Sequence, residues 1–214
     1  MTPVLPDRLS ERLFKGRVAG VDEVGRGPLC GPVVAAAVIL PGSPRVLRPT
    51  VFDGIRDSKA ISPRKREKMA EVIRSQCVIG VGVVEAWEID AMGILQATFL
   101  AMRKSIDALP EIPDHVLIDG NMVPQGLSCP ASAIVKGDAT CLAIAAASII
   151  AKCHRDAIMA ELALSHPQYG WERNSGYGTR EHRFALREYG PTRHHRRSFH
   201  WGIDDEPVQQ ELFA

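Results

Sequence analysis

The chain has 214 residues, 45% of them hydrophobic, and a formal charge of +1. That apolar content can bury one full core, and so small a net charge gives no bulk argument for a nucleic-acid or acidic partner. No uninterrupted apolar run reaches the roughly 18 residues of a membrane span, and MTPVLPDRLSERLFKG lacks a charged-then-apolar signal layout. A soluble, cytoplasmic protein with no membrane partner is therefore expected; a monomer is expected too, although nothing in the sequence decides the oligomeric state. Cys30, Cys77, Cys129, Cys141 and Cys153 are scattered and without C-x-x-C spacing, so reduced thiols are expected rather than disulfides or a zinc cluster.

In chain order, residues 1–16 read as an N-terminal extension. Residues 17–24 (RVAGVDEV) and 33–40 (VVAAAVIL) are small and β-branched runs, two strands joined by the glycine- and proline-rich GRGPLCGP. Segment 41–61 reads as loop. Ser62-Pro63 predicts an N-cap with Pro at the first helical position, opening a charged helix to about Ser75. A strand follows over 77–85, and apolar residues at helical spacing predict one long amphipathic helix over 86–109. HVLIDG (115–120) and ASAIVKG (131–137) read as strands, after which Asp138 is placed to cap an alanine-rich helix running to about Ser165. A last helix occupies 180–189, before Gly190-Pro191. This order of elements predicts an α/β layered sheet.

Charge is uneven along the chain. Between Lys152 and Trp201 stand nine Lys/Arg against five Asp/Glu, whereas from Gly202 onward there are four acidic residues and no basic one. Domain-like sequence thus ends near 201, and 202–214 reads as an acidic tail.

Asp22 and Glu23 end the first strand, Asp119 ends another, and Asp138 lies at a strand-to-helix junction. Oxygen-rich clusters of this kind are what hard divalent cations require. Adjacent strand residues point to opposite faces, so Asp22 and Glu23 can share one site only if the chain bends there. For any one of these acids alone the turn-and-cap reading is favoured, since Asp is common before Gly and at helix N-termini. Together they make two-metal phosphodiester cleavage possible, with ions about 4 Å apart activating water and stabilising the leaving oxygen.

Asp22-Glu23-Val24-Gly25-Arg26-Gly27-Pro28 resembles the DExGRGP signature of the ribonuclease HII family at six positions. Asp57-Ser58-Lys59, Asp119-Gly120, Lys136-Gly137-Asp138, Ala146–Lys152, Arg155-Asp156, Gly176–Thr179, Gly190–Thr192, His195-Arg196 and Ser198-Phe199 follow in the family's order, so the resemblance spans about 17–200. It departs at Asp57–Ile61, which lacks a second lysine and leucine often found there, and at Cys30, where alanine is common.

The resemblance implies a ribonuclease-H-like fold: a mixed five-stranded sheet, its first three strands antiparallel, flanked by helices, with a small C-terminal helical region, all within 17–201. It implies an endonuclease that hydrolyses the RNA strand of RNA–DNA hybrids and incises 5′ of ribonucleotides embedded in duplex DNA, leaving 3′-hydroxyl and 5′-phosphate ends. Asp22, Glu23, Asp119 and Asp138 are implied as ligands of two Mg2+ or Mn2+ ions. Asp156 competes for the fourth place. On one continuous helix over 138–156, however, it would stand about 27 Å from Asp138 at 1.5 Å per residue, so it is expected to pair with Lys152 instead.

Backbone groups of Gly25, Arg26 and Gly27 are implied to read the ribose 2′-hydroxyl. Tyr177 is implied to pack on the sugar, although a loop tyrosine is more often partly buried packing. Ser58, Lys59 and Arg196, together with Arg193 and Arg197, are candidate phosphate contacts. For Arg193 and Arg197 a merely solvated basic surface is an equal reading. Two rivals remain: another nuclease or resolvase on the same fold, which would cut all-DNA junctions equally, and a non-catalytic hybrid-binding module, which would gain nothing from acids beside phosphate.

In the tail, Gln209, Leu212 and Phe213 resemble a Q-x-x-L-F sliding-clamp-binding peptide. A tail docked on its own domain and a disordered tail are the alternatives.

Overall fold

The β-branched runs form a five-stranded sheet in the computed structural model, which describes residues 6–42, 52, 54–55 and 61–202. Its strands are β1 (Val18–Val24), β2 (Val33–Ile39), β3 (Val78–Val84), β4 (His115–Asp119) and β5 (Ala131–Ile134), in the spatial order β3-β2-β1-β4-β5. β1–β2 and β2–β3 pair antiparallel, while β1–β4 and β4–β5 pair parallel. The expected antiparallel trio is present. The Asp57-Ser58-Lys59 segment and the tail bearing Gln209, Leu212 and Phe213 lie outside the described residues.

Helix α1 (Pro63–Gln76) begins with Ser62 at the N-cap in extended backbone, as expected. The single helix expected over 86–109 is two: α2 (Ala86–Met92) and α3 (Ile94–Asp107), separated by Gly93 at φ 80°. That backbone conformation lies outside the helical region and interrupts the ladder, while the apolar periodicity runs on through it.

Asp138 does not cap the long helix. It lies inside the short α4 (Gly137–Thr140), and α5 (Leu142–Ser165) takes Cys141 as its N-cap. The break has an external cause. Leu142 N–H donates to Asp7 O at 2.7 Å and Asp7 N–H donates to Thr140 O at 3.1 Å, so the N-terminal segment takes backbone groups a continuous helix would use. Two short helices, α6 (Trp171–Asn174) and α7 (Arg180–Tyr189), complete the fold.

The sheet is covered on both faces. On one, α5 packs on β1 and β2, and its alanines let it approach closely: a Cβ on Gly20 would fall 2.3 Å from the carbonyl carbon of Ala143. On the other, α3 packs on β3, β2 and β1 through Ala97, Ala101 and Ile106. Each buried Val or Ile of the sheet contributes roughly 1.5–3 kcal/mol. A third cluster, including Leu29, Met159, Tyr169, Trp171 and Leu186, joins the loop after β1 to the C-terminal helices. That cluster is what brings the glycine loop and the Tyr177 region together. Among the described residues no helix is long and apolar enough to cross a membrane.

Candidate active site

The parallel β1–β4 register ends at Val21 opposite Ile118, so the next pair in line is Asp22 beside Asp119. Alternation places both side chains on the α5 face, the face to which Val18 and Leu117 also contribute. There Asp22 is 6% exposed and accepts a hydrogen bond from the Ser148 hydroxyl of α5 and one from Glu23 N–H at 2.7 Å. Burial raises the Asp22 pKa well above its usual value, and Glu23 and Asp119 add to the shift.

Glu23 remains paired opposite Ala35, so its Cβ starts from the other face. The strand ends one residue later, however, and the Glu23 carboxylate comes near enough to Asp22 to raise that group's pKa. It sits one residue from the strand end, close enough that Asp119 raises its pKa. Burial is the main cause of that rise, and Arg26, 3.5 Å away, partly offsets it.

Asp119 Oδ1 accepts the N–H groups of Gly137 at 2.7 Å and Asp138 at 3.3 Å, which ties the end of β4 to α4. Asp138 therefore stands beside Asp119 through its backbone. Asp156 is remote from this cluster and pairs with Lys152 at 2.5 Å and Arg66 at 3.1 Å.

The donor set suits a hard divalent cation: oxygen ligands only, with several acids that repel one another, Asp22 buried and Glu23 half-buried. Among the described residues no three His, Cys, Asp or Glu side chains are already gathered to hold an ion, and Asp119 Oδ1 is bonded to the α4 peptides.

The loop from Gly25 to Pro32 is built on two buried arginines. Arg155 donates from Nε to Pro32 O at 3.0 Å and through its two terminal nitrogens to Ser175 O and Cys30 O, each at 2.9 Å. Arg196, expected as a phosphate contact, is 0% exposed and is committed to the carbonyls of Gly25, Arg26 and Gly31. It cannot reach a phosphate while it makes those bonds. Its neighbours Arg193 and Arg197 are exposed, and Asp90 pins their loop by accepting the N–H groups of Arg197 and Ser198, each at 2.9 Å.

Gly25 has φ 93°, and a Cβ there would lie 2.4 Å from Arg155 Nε. Gly27 faces open space except for the Tyr177 ring, 3.6 Å from where its Cβ would be. Tyr177 is 48% exposed, so its ring and the loop form one surface.

The backbone beneath Tyr177 is set by imidazoles. Thr192 N–H donates to His195 Nδ1 at 2.9 Å, which leaves the proton of a neutral ring on Nε2, 3.1 Å from His182 Nε2. Trp171 Nε1–H also donates to that nitrogen, so His182 carries its proton on Nδ1 and donates it to Tyr177 O at 2.9 Å. Burial, helped by the neighbouring imidazoles, pushes His195 down to about 3, which keeps the ring neutral. Both ring nitrogens of His182 and of His195 are thus engaged by neighbouring protein groups.

Sequence reasoning did not single out Ser148, Arg155 or Asp90. Ser148 and Arg155 lie inside quoted motifs, yet only the fold shows one against a carboxylate and the other under the loop.

A family model for ribonuclease HII matches residues 19–201. The chain is 54% identical over 195 residues to ribonuclease HII of Paramagnetospirillum magneticum, covering 91% of this chain and 96% of that one. Among solved structures, ribonuclease H2 from Pyrococcus horikoshii superposes with TM-score 0.71 at 27% identity, covering 88% of this chain and 96% of that one. The RNase HII of Archaeoglobus fulgidus, solved as a complex with PCNA, also gives 0.71 at 27% identity, over 92% and 98%. Sheet order, carboxylates and glycine loop thus meet a match that spans nearly the whole fold, and the chain belongs to the ribonuclease HII family of endonucleases.

Proposed function

We propose that the chain hydrolyses the RNA strand of RNA–DNA hybrids and incises duplex DNA on the 5′ side of an embedded ribonucleotide, leaving 3′-hydroxyl and 5′-phosphate ends. The observation that carries this reading is the placement of Asp22 beside Asp119 at the end of β1 and β4, next to the Gly25–Gly27 loop and Tyr177. Acids for phosphodiester chemistry and a surface for the ribose adjoin.

Asp22, Glu23, Asp119 and Asp138 would hold two Mg2+ or Mn2+ ions, which when bound activate a water and stabilise the leaving oxygen. Ser148 orients the Asp22 carboxylate, and the α4 peptides orient Asp119. The glycine loop offers backbone N–H groups to the 2′-hydroxyl, and Tyr177 offers an aromatic face to the sugar. Arg193 and Arg197 supply exposed charge for the phosphates, and Lys59 would add a charge and Ser58 a hydroxyl donor.

The test is cleavage of a DNA duplex carrying one ribonucleotide, beside an all-DNA duplex, with Mg2+, with Mn2+ and with chelator. A single cut 5′ of the ribonucleotide is expected with either metal and none with chelator. Tight binding without cutting under any condition would favour the hybrid-binding module, and equal cutting of both duplexes would favour another nuclease of this fold.

The tail is a separate proposal, supported by the Archaeoglobus relative solved with PCNA. Gln209, Leu212 and Phe213 would engage a sliding clamp. Replacing Leu212 and Phe213 together with Ala is expected to weaken clamp binding at least tenfold, by loss of about 1.5–3 kcal/mol per buried side chain, with cleavage unchanged. Undiminished pull-down by an immobilised clamp would exclude that role.

A further inference from the structure

We propose that Arg196 is the positioning residue for ribose recognition: its buried guanidinium holds the carbonyls of Gly25 and Arg26 inward and so presents the Arg26 and Gly27 N–H groups outward beside Tyr177. This rests on the reading of the loop given above and names the residue that makes it work.

In a planar trans peptide the C=O and the following N–H point in opposite directions, and no cis peptide is present among the described residues. Arg196 donates to Gly25 O at 2.5 Å and to Arg26 O at 3.0 Å. Both oxygens face the interior, so the N–H groups of Arg26 and Gly27 face solvent. Among the described residues neither N–H has an acceptor. Two adjacent donors thus lie on the side of the loop where Gly27 faces the Tyr177 ring. A hydroxyl oxygen seated there accepts from the backbone, and a 2′-deoxy sugar has nothing to offer.

Arg196 is itself held from several directions. Its N–H donates to Leu29 O at 2.9 Å, its carbonyl accepts Trp201 Nε1–H at 2.9 Å, and its guanidinium carbon lies 5.0 Å from the Phe199 ring centroid. Every hydrogen bond recorded for its guanidinium goes to a backbone oxygen, those of Gly25, Arg26 and Gly31. A buried cation satisfied by carbonyl dipoles spends its charge on backbone shape. Arg155 serves Cys30, Pro32 and Ser175, which leaves the two peptides that matter to Arg196 alone.

The experiment uses Arg196→Lys in the full chain. Lysine keeps the charge but concentrates its donors at one point, so it cannot span three carbonyls. Two quantities are measured: KM for the single-ribonucleotide duplex, and the inhibition constant of an all-DNA duplex added as competitor. For the intact protein KM is expected well below that inhibition constant. In Arg196→Lys, KM rises about tenfold, the effect of losing about one hydrogen bond, while the inhibition constant stays within about twofold.

Ile106→Ala, a core truncation under α3 on the opposite face of the sheet, is expected to lower stability and keep the ratio. Arg196→Lys changing both constants by one factor, or Ile106→Ala shifting the ratio equally, overturns the proposal. Equal constants in the intact protein overturn the ribose reading itself, whatever Arg196 does. If Arg196→Lys fails to fold, amide NMR of the intact protein decides: the Arg26 and Gly27 signals must shift with the ribonucleotide duplex and not with all-DNA, and identical shifts overturn the proposal.

Discussion

Asp22→Asn is expected to abolish metal-dependent cleavage while making the metal-free protein more stable. Loss of activity should be on the order of 1,000-fold or more, because the substitution removes the charge of a carboxylate proposed to hold metal and with it several kcal/mol of transition-state stabilisation. The gain in stability follows from the site's electrostatics. The carboxylate is buried beside Glu23 and Asp119, and these three influences outweigh the hydrogen bonds from the Ser148 hydroxyl and Glu23 N–H that favour its charge. A neutral amide of the same shape relieves about 1–3 kcal/mol.

The effect has a pH signature. Because folding raises this pKa above 3.8, the native state holds a proton that the unfolded chain has already released. The contribution to stability is full below that value and is lost as pH rises through the folded pKa. The variant's advantage should therefore be greatest at neutral pH and vanish toward pH 4. Urea unfolding in chelator across that range measures it. A variant less stable than the parent at pH 7, or one that still cuts, is incompatible with this account.

Gly25→Ala and Gly27→Ala are expected to behave in opposite ways although one residue separates them. At Gly25 the added methyl meets Arg155 Nε at 2.4 Å and Pro32 O at 2.7 Å, on a backbone at φ 93°. Left-handed backbone costs about 1–2 kcal/mol for a side chain, and overpacking adds about 1–3, so a loss of about 3 kcal/mol is expected. Arg155 must also move off the carbonyls it holds, so activity falls with stability.

At Gly27 the methyl meets only the Tyr177 ring at 3.6 Å. Unfolding should change by less than about 0.5 kcal/mol, as at an ordinary surface position. Cleavage should still fall, because the methyl stands on the surface proposed to receive the sugar. Denaturant midpoints and cleavage rates of the two variants separate these effects. Equal stability in both, or unimpaired cleavage by Gly27→Ala, would contradict the described loop.

The sheet was legible because its strands are runs of β-branched and small residues bounded by glycine and proline, and α7 matched its expected limits at Arg180 and Tyr189. The metal-ligand candidates were legible as acids at strand ends, and the motif identified the family. Three features were not legible, each for a physical reason. The break at Gly93 leaves helical periodicity intact on both sides, so pattern alone cannot see it. The end of α4 depends on Asp7, more than a hundred residues away in sequence, bonding to the backbone around Cys141. Arg196 stands in a basic run with Arg193 and Arg197, and nothing in its neighbours says that it alone is buried.

The bonds from Arg196 to Gly25, Arg26 and Gly31 span 171, 170 and 165 positions of the chain. At synthesis rates of about 5–20 residues per second, the loop leaves the ribosome on the order of 10–30 s before the side chain that shapes it. Acids and sheet are made before the anchor of the loop. A chain that stops before residue 196 still carries all five strands, the last ending at Ile134, but lacks the guanidinium that holds the carbonyls of Gly25, Arg26 and Gly31.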